Sequence, residues 1–309
     1  MVDQLKAMLG REHGLDDVNL ALRDYISRLS PPAVGALHVT CADESEFECV
    51  ESFQRWIVEP LLPNLHFTEK APFRLANLGG RYEFGAVPVA EAHFATPESR
   101  QSFKVMIVKI SAHVAVSGFG AATRFGEMHR YGTASHACGA LHKLLDGANG
   151  AFIDDLRAAF CAGEKDRLQV LLDEKQVDPA QRAFLSAIVN ALLQAARAVQ
   201  DIKNHVPASP TLYLVPACVT LNRPERDTEF FCGLHVCDRR TPDCRFSYYG
   251  LSDNPAQYRL ACEPLGLQLT DDDGLLRIRP VACGRNASNA PIIWFEQTVG
   301  CSQEADLDW

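Results

Sequence analysis

The chain has 309 residues, 47% of them hydrophobic, with 30 basic against 39 acidic residues and a formal charge of −9. A chain of this length buries about 75% of the surface its unfolded form exposes, so a large core forms without help from metals or disulfides. No basic stripe is present, which argues against a nucleic-acid surface, and no stretch of about 18 apolar residues occurs, which argues against a membrane-spanning helix.

The start, MVDQLKAMLGREHGLDDVNL, lacks the basic stretch and uninterrupted apolar block of a secretory signal, so the expected location is the cytoplasm. Eleven cysteines are an odd number, and no CxxC pair occurs among them. They read as reduced thiols, most of them small buried hydrophobes, and not as a disulfide framework.

In chain order, residues 2 to 30 carry apolar positions three and four apart and predict helix, stopped by SPP at 30 to 32. AVGALHVT predicts a strand, and ADESEFECVESFQRWIVEPLL, with acids in its first turn, a helix. Two alternating runs, Arg81 to Phe94 and Phe103 to Val116, joined by ATPESRQS, predict a long antiparallel hairpin. Its second run places Met106, Val108, Ile110, Ala112, Val114 and Val116 on one side and Lys109, Ser111 and His113 on the other.

A helical block follows, in segments 134 to 146, 150 to 162, 164 to 175 and 179 to 204, punctuated by Gly147, Gly163 and Asp178-Pro179. The last of these has a continuous apolar stripe from Phe184 to Ile202. TLYLVPACVTL, TEFFCGLHVC, RFSYYGL, QYRLAC, LGLQLT, LLRIRPV and PIIWFEQ then read as strands, and EADLDW as a tail. No repeat and no linker divides the chain. The expected architecture is a single α+β domain over residues 1–309, mostly antiparallel in its sheet. The helical block, about 134–205, lies between two groups of strands and is open to reading as a subdomain.

Three constellations carry chemistry. In YGTASHACGALHKLLDG, read as a helix capped by Ser135, Cys138 occupies the first turn, where unpaired N–H groups and the helix dipole favour a thiolate. Such a nucleophile needs an imidazole and a group to orient it. His93 and His113 from the hairpin are the candidate bases, with His235 in a later strand as another donor. The order cysteine, histidine, acid resembles that of papain-like hydrolases and transglutaminases, in order alone; none of their local signatures surrounds Cys138.

The second constellation is a metal site. Cys138 and His142, four apart on a helix, reach one Zn²⁺, with His235 as a further ligand. The third is the polar side of the hairpin, where Glu91 would orient His93 or His113 and Lys109 would stabilise negative charge, provided the register brings the strands' polar residues together. Ser111, Arg124 and Arg130 are candidate substrate contacts, the arginines belonging to a glycine-rich loop, SGFGAATRFG and beyond, that matches neither phosphate-binding motif. The H-x-E and P-C-x-x-C of zinc deaminases are absent.

The leading expectation is therefore an intracellular hydrolase or acyl transferase acting on a small polar substrate through Cys138, His113, His93, Glu91 and Lys109. No cofactor is required by that reading; zinc belongs to the alternative with Cys138, His142 and His235. A noncatalytic binding or assembly protein is the alternative from a different class, and a homo-oligomer is open in either case.

Overall fold

The computed structural model describes residues 2–61, 72–94, 103–117, 124–130, 133–139, 179–206, 210–240, 245–250, 280–285 and 291–295. The N-terminal helical pattern is realised as α1 (Val2–Met8), a short strand β1 (Glu12–Gly14) and α2 (Leu15–Leu29). Asp17 closes the first turn of α2 by accepting a hydrogen bond from the Gly14 N–H at 2.9 Å. Ser30, in the left-handed conformation, ends it just before the two prolines. Leu15, Val18, Leu22 and Ile26 form its buried stripe.

β2 (Ala33–Cys41) is buried along its whole length. A 3-10 turn (Glu44–Glu46) leads into α3 (Phe47–Phe53), which continues through a π-helical turn (Gln54–Val58) into α4 (Glu59–Leu61). β3 (Phe73–Asn77), absent from the sequence reading, precedes a 3-10 turn (Leu78–Gly80) and α5 (Ala86–Phe94). Next come β4 (Lys104–Ser117), β5 (Arg124–Phe125), β6 (Glu127–Arg130) and β7 (Thr133–His136). The long helix α6 (Pro179–His205) starts on the proline. β8 (Thr211–Asn222), β9 (Thr228–Asp238), β10 (Arg245–Gly250), β11 (Pro280–Arg285) and β12 (Pro291–Phe295) complete the described elements.

These elements form an α+β fold with a mixed sheet in the order β1-β9-β8-β4-β2-β3; β10 adds to β9 and β5 to β4. Among the described residues six strand pairings are antiparallel and three parallel. The parallel ones, β3 with β2, β2 with β4 and β4 with β8, are the centre of the sheet. Parallel strands are covered on both faces. On one face Leu37, Val39, Val108, Ile110, Tyr213 and Val219 pack against α5 and the stripe of α6; on the other Val34, Ala36, Val105, Ile107 and Leu214 pack against α1, α2 and Phe53. Fully burying a leucine or isoleucine is worth about 1.5–3 kcal/mol, so these two clusters dominate the favourable side of folding.

Two expectations are corrected. Residues 81–94 are not the first strand of a hairpin with β4: Ala86–Phe94 is helical, and β4 pairs with β2 and β8 instead. Val87, Ala90 and Glu91 are the buried positions of that helix, a three- and four-residue spacing that the alternating reading had obscured. Nor does a helix begin at residue 134, because Thr133–His136 pairs antiparallel with Glu127–Arg130 as a hairpin. The expected helices at 150–162 and 164–175, residues 140–146, the strands QYRLAC and LGLQLT, most of LLRIRPV and the acidic tail lie outside the described residues. Among the described residues no helix is long and apolar enough to cross a membrane.

The polar side of β4 is buried as thoroughly as its apolar side. Lys109 makes an ion pair with Glu229 of β9 at 2.7 Å, both side chains 0% exposed, and donates to Asn19 Oδ1 of α2 at 3.0 Å. His38 of β2 shares a 3.0 Å hydrogen bond with Ser111. The sheet and the N-terminal helices thus enclose a polar seam that ends at His113.

Candidate metal centre

In an open sheet with parallel strands, ligands bind beyond the carboxyl ends of the strands. Here those ends carry donor atoms. Cys41 is the last residue of β2, His113 lies near the end of β4 opposite Thr220 of β8, and Asn222 is the last residue of β8. Cys138 arrives from the β6–β7 hairpin. Its segment is held on β4 because the Ala115 N–H donates to the Ala137 carbonyl at 2.7 Å and the Gly126 N–H to the Ala115 carbonyl at 2.8 Å. Phe125, paired with Val116, stacks on Phe184 of α6 at 4.7 Å and anchors the same segment from the other side.

The result is a buried cluster of Cys41, His113 and Cys138, whose ligand atoms all lie within 4.8 Å of one another. Cys41 Sγ and Cys138 Sγ are 3.7 Å apart. Two sulfurs each about 2.3 Å from a tetrahedral Zn²⁺ stand about 3.8 Å apart, so the thiols are spaced as that ion requires. Two thiolates and an imidazole are also the donor set of a catalytic zinc that keeps its fourth position for water.

The histidine is oriented for this role by its surroundings. Asn222 Nδ2 donates to the Ser45 carbonyl at 2.8 Å and to Asp227 Oδ2 at 2.9 Å, which turns its Oδ1 toward His113 Nδ1 at 2.9 Å. An acceptor at Nδ1 places the proton there and leaves the lone pair on Nε2. Nε2 is buried and has no hydrogen-bond partner among the described residues. Ser45 Oγ, 3.1 Å from the same Nδ1, donates in turn to Asp43 Oδ1 at 2.7 Å.

Electrostatics follow from enclosure. The Cys41 thiol is pushed up to about 12, first by its hydrogen bond with Cys138 and then by burial, with His113 opposing both. Burial acts to lower His113, but the adjacent Cys41 and the Glu46 carboxylate, 3.9 Å from Nδ1, outweigh it and raise the imidazole. Glu46 is itself raised by burial. Protons held by the sulfurs, and the second proton that these neighbours favour on His113, would have to leave as a cation bound.

No protein-family model and no curated protein matches the sequence. Solved structures do resemble it. A histidine-to-alanine mutant of PtLCIB4, a homolog of the limiting CO2-inducible protein LCIB, is 14% identical, with 77% of this chain and 95% of that chain covered at a TM-score of 0.53. PtLCIB4 without that mutation is also 14% identical, with 78% and 97% covered at a TM-score of 0.51. The crystal structure of LCIB itself is 14% identical, with 79% and 96% covered at a TM-score of 0.47. The likeness to PtLCIB4 is one of fold.

Of the residues nominated by sequence, the structure brings Cys138 and His113 together and leaves the other described ones elsewhere. Glu91 accepts hydrogen bonds from Thr211 Oγ1 at 3.3 Å and Tyr213 OH at 2.5 Å and lies 3.7 Å from Lys104 Nζ, at the amino ends of β4 and β8. His93 is exposed on α5 and tilted against Phe73 at 5.1 Å. Phe73 pairs with Leu37 and Leu37 with Val108, so His93 sits far down the strands from His113. Lys109 is committed to Glu229, and Ser111 bonds His38 and accepts from Cys49 Sγ at 3.6 Å. His235 is buried in β9 opposite Val215 and is lowered to about 3 by that burial. Arg124 is exposed on β5, Arg130 ends β6, and His142 lies outside the described residues.

Cys41, Ser45, Glu46, Asn222 and Asp227 were missed by sequence reasoning. The available signal was position. CADES begins on the last residue of an uninterrupted buried strand, and a cysteine and an acid at such a carboxyl end are where a parallel sheet places its ligands.

Proposed function

We propose that this chain is a zinc enzyme that adds water to a small electrophile, carbon dioxide, yielding bicarbonate and a proton. The observation that carries the reading is the Cys41–His113–Cys138 cluster, with its sulfurs 3.7 Å apart. When bound in such a set, zinc lowers the pKa of its water to about 7 and so supplies hydroxide at neutral pH. The chain's own residues would hold the ion and set its surroundings. Asn222 keeps the proton on His113 Nδ1, the hydrogen-bonded pair Asp43 and Ser45 lines that same side of the imidazole, and the buried walls exclude bulk water. Carbon dioxide is the substrate favoured because the fold is shared with a homolog of a protein named for induction under limiting CO2. In this reading Cys138 is a ligand, and the hydrolase or acyl-transfer role for it as nucleophile is set aside, because its sulfur faces another thiol.

The test is stopped-flow measurement of CO2 hydration with a pH indicator, on protein loaded with one equivalent of zinc. The expected outcome is acceleration that tracks zinc occupancy, is removed by a chelator and returns with zinc. Zinc-loaded protein that leaves hydration at its uncatalysed rate would overturn the proposal.

A further inference from the structure

Helix α6 buries a line of polar side chains within its apolar stripe. Asn190 is 2% exposed, Gln194 1% and Asp201 0%. Each bonds the segment 79–85, Asp201 also pairing with His205 through its other oxygen at 2.8 Å. Asn190 Nδ2 donates to the Gly79 carbonyl at 2.6 Å, Gln194 Oε1 accepts from the Tyr82 N–H at 2.9 Å, and Gln194 Nε2 donates to Asn190 Oδ1 at 3.0 Å. Asp201 accepts from Tyr82 OH at 2.5 Å and from the Gly85 N–H at 2.8 Å. Buried polar groups cost stability unless fully paired, and an apolar stripe would have packed this helix without them.

What the segment does with this anchoring is visible at its other end. The Gly79 N–H points at Cys41 and donates to its sulfur at 3.2 Å. Gly79 and Gly80 both have φ of +70°, a conformation that glycine adopts without strain. The approach is also close: a Cβ on Gly80 would lie 3.1 Å from the Ser111 carbonyl oxygen and 3.5 Å from the Cys41 nitrogen. The turn is therefore laid directly on the end of β2 and on β4 at Ser111.

We propose that the polar line of α6 is a positioning device for the metal ligand Cys41: Asn190, seconded by Gln194, holds the Gly79–Gly80 turn so that the Gly79 N–H bonds the sulfur. The inference rests on the zinc reading given above and extends it to residues that touch neither metal nor substrate. A hydrogen bond to a ligating sulfur fixes its direction and draws charge from it, and outer partners of this kind change metal affinity by roughly ten- to a hundred-fold.

The experiment is titration of the metal-free chain with Co²⁺, followed through the thiolate-to-cobalt charge-transfer absorption. Asn190→Asp is nearly isosteric and turns an acceptor toward the Gly79 carbonyl. It is expected to weaken Co²⁺ binding by roughly ten- to a hundred-fold and to move the absorption band. Val199→Ala, which trims the same helix at a buried position of its apolar stripe, is expected to lower the melting temperature and leave band and affinity unchanged. Should Asn190→Asp fail to fold, Gly80→Ala tests the same contact from the turn and is expected to move the band in the same way. A parental band that Asn190→Asp, or in its place Gly80→Ala, leaves unmoved would overturn this inference alone. A shift equal to that of Val199→Ala would overturn it as well. Absence of any such band in the parent would overturn the zinc reading and the inference with it.

Discussion

Replacing His113 with alanine is expected to lower bound zinc from about one equivalent to below about a tenth of one, measured by elemental analysis after loading and dialysis. Among the described residues the imidazole is one of three side chains whose ligand atoms converge on the site, and no other described histidine shares the cluster. Cys138→Ser is expected to have the same effect: it conserves shape, but a hydroxyl does not ionise near neutral pH as a metal-bound thiol does. Cys232→Ser is the control, since this buried thiol lies outside the cluster and donates to the Phe230 carbonyl at 3.6 Å; it should retain zinc. Heat denaturation gives an independent reading. At zinc a hundredfold above its Kd, binding to the folded state alone adds about 2.7 kcal/mol. A chelator should therefore lower the melting temperature of the parent and of Cys232→Ser, and leave those of His113→Ala and Cys138→Ser where they are.

The second large effect belongs to the polar seam. Lys109 and Glu229 are fully buried and paired at 2.7 Å, and the ammonium also rests 5.8 Å from the centre of the Phe53 ring. Burial alone would lower the Lys109 pKa; Glu229, together with the neighbouring Cys49 and Cys218, outweighs that and holds it above the ordinary lysine value. Glu229→Gln leaves the burial and removes the main part of the offset. The expected cost is about 3–5 kcal/mol of stability near pH 7, the usual result of stranding one member of a buried pair. The sign of its pH dependence follows. With its partner gone, Lys109 titrates lower in the folded than in the unfolded chain, so the variant's stability should climb as pH rises from 7 to 9, whereas the parent's pair gives no such climb. The double variant Lys109→Met with Glu229→Leu strands no charge and should recover most of the loss. Denaturant unfolding at several pH values reads all three. A Glu229→Gln protein as stable as the parent would contradict the assigned pairing.

What could be read without coordinates depended on whether the signal was local. β2, β8 and β9 announce themselves as apolar runs between turn residues, and α6 through the stripe from Phe184 to Ile202. Residues 86–94 were misread because AVPVAEAHF satisfies period 2 on its surface, while Val87 and Ala90, the positions that pack, obey the helical spacing. At 133–136 the composition allows a helix, and only pairing with 127–130 decides for a strand.

The site was half legible for a related reason. Cys138 and His113 stood out as chemistry-bearing residues in stretches that packing alone does not require. Cys41 did not, since a cysteine closing an apolar strand reads as one more small core residue. Its role emerges when β2 and β4 lie parallel and in register, a fact of pairing between segments far apart in sequence. The same geometry that brings Cys41 in takes Glu91 out: as part of α5 it turns to Thr211 and Tyr213 instead of lying beside His113.

The central claim, that Cys41, His113 and Cys138 form one zinc site, is tested most directly by zinc K-edge X-ray absorption on the loaded parent chain. Two sulfur scatterers at about 2.3 Å and two nitrogen or oxygen scatterers at about 2.0–2.1 Å are expected. A shell without sulfur, or with a single sulfur, would contradict it.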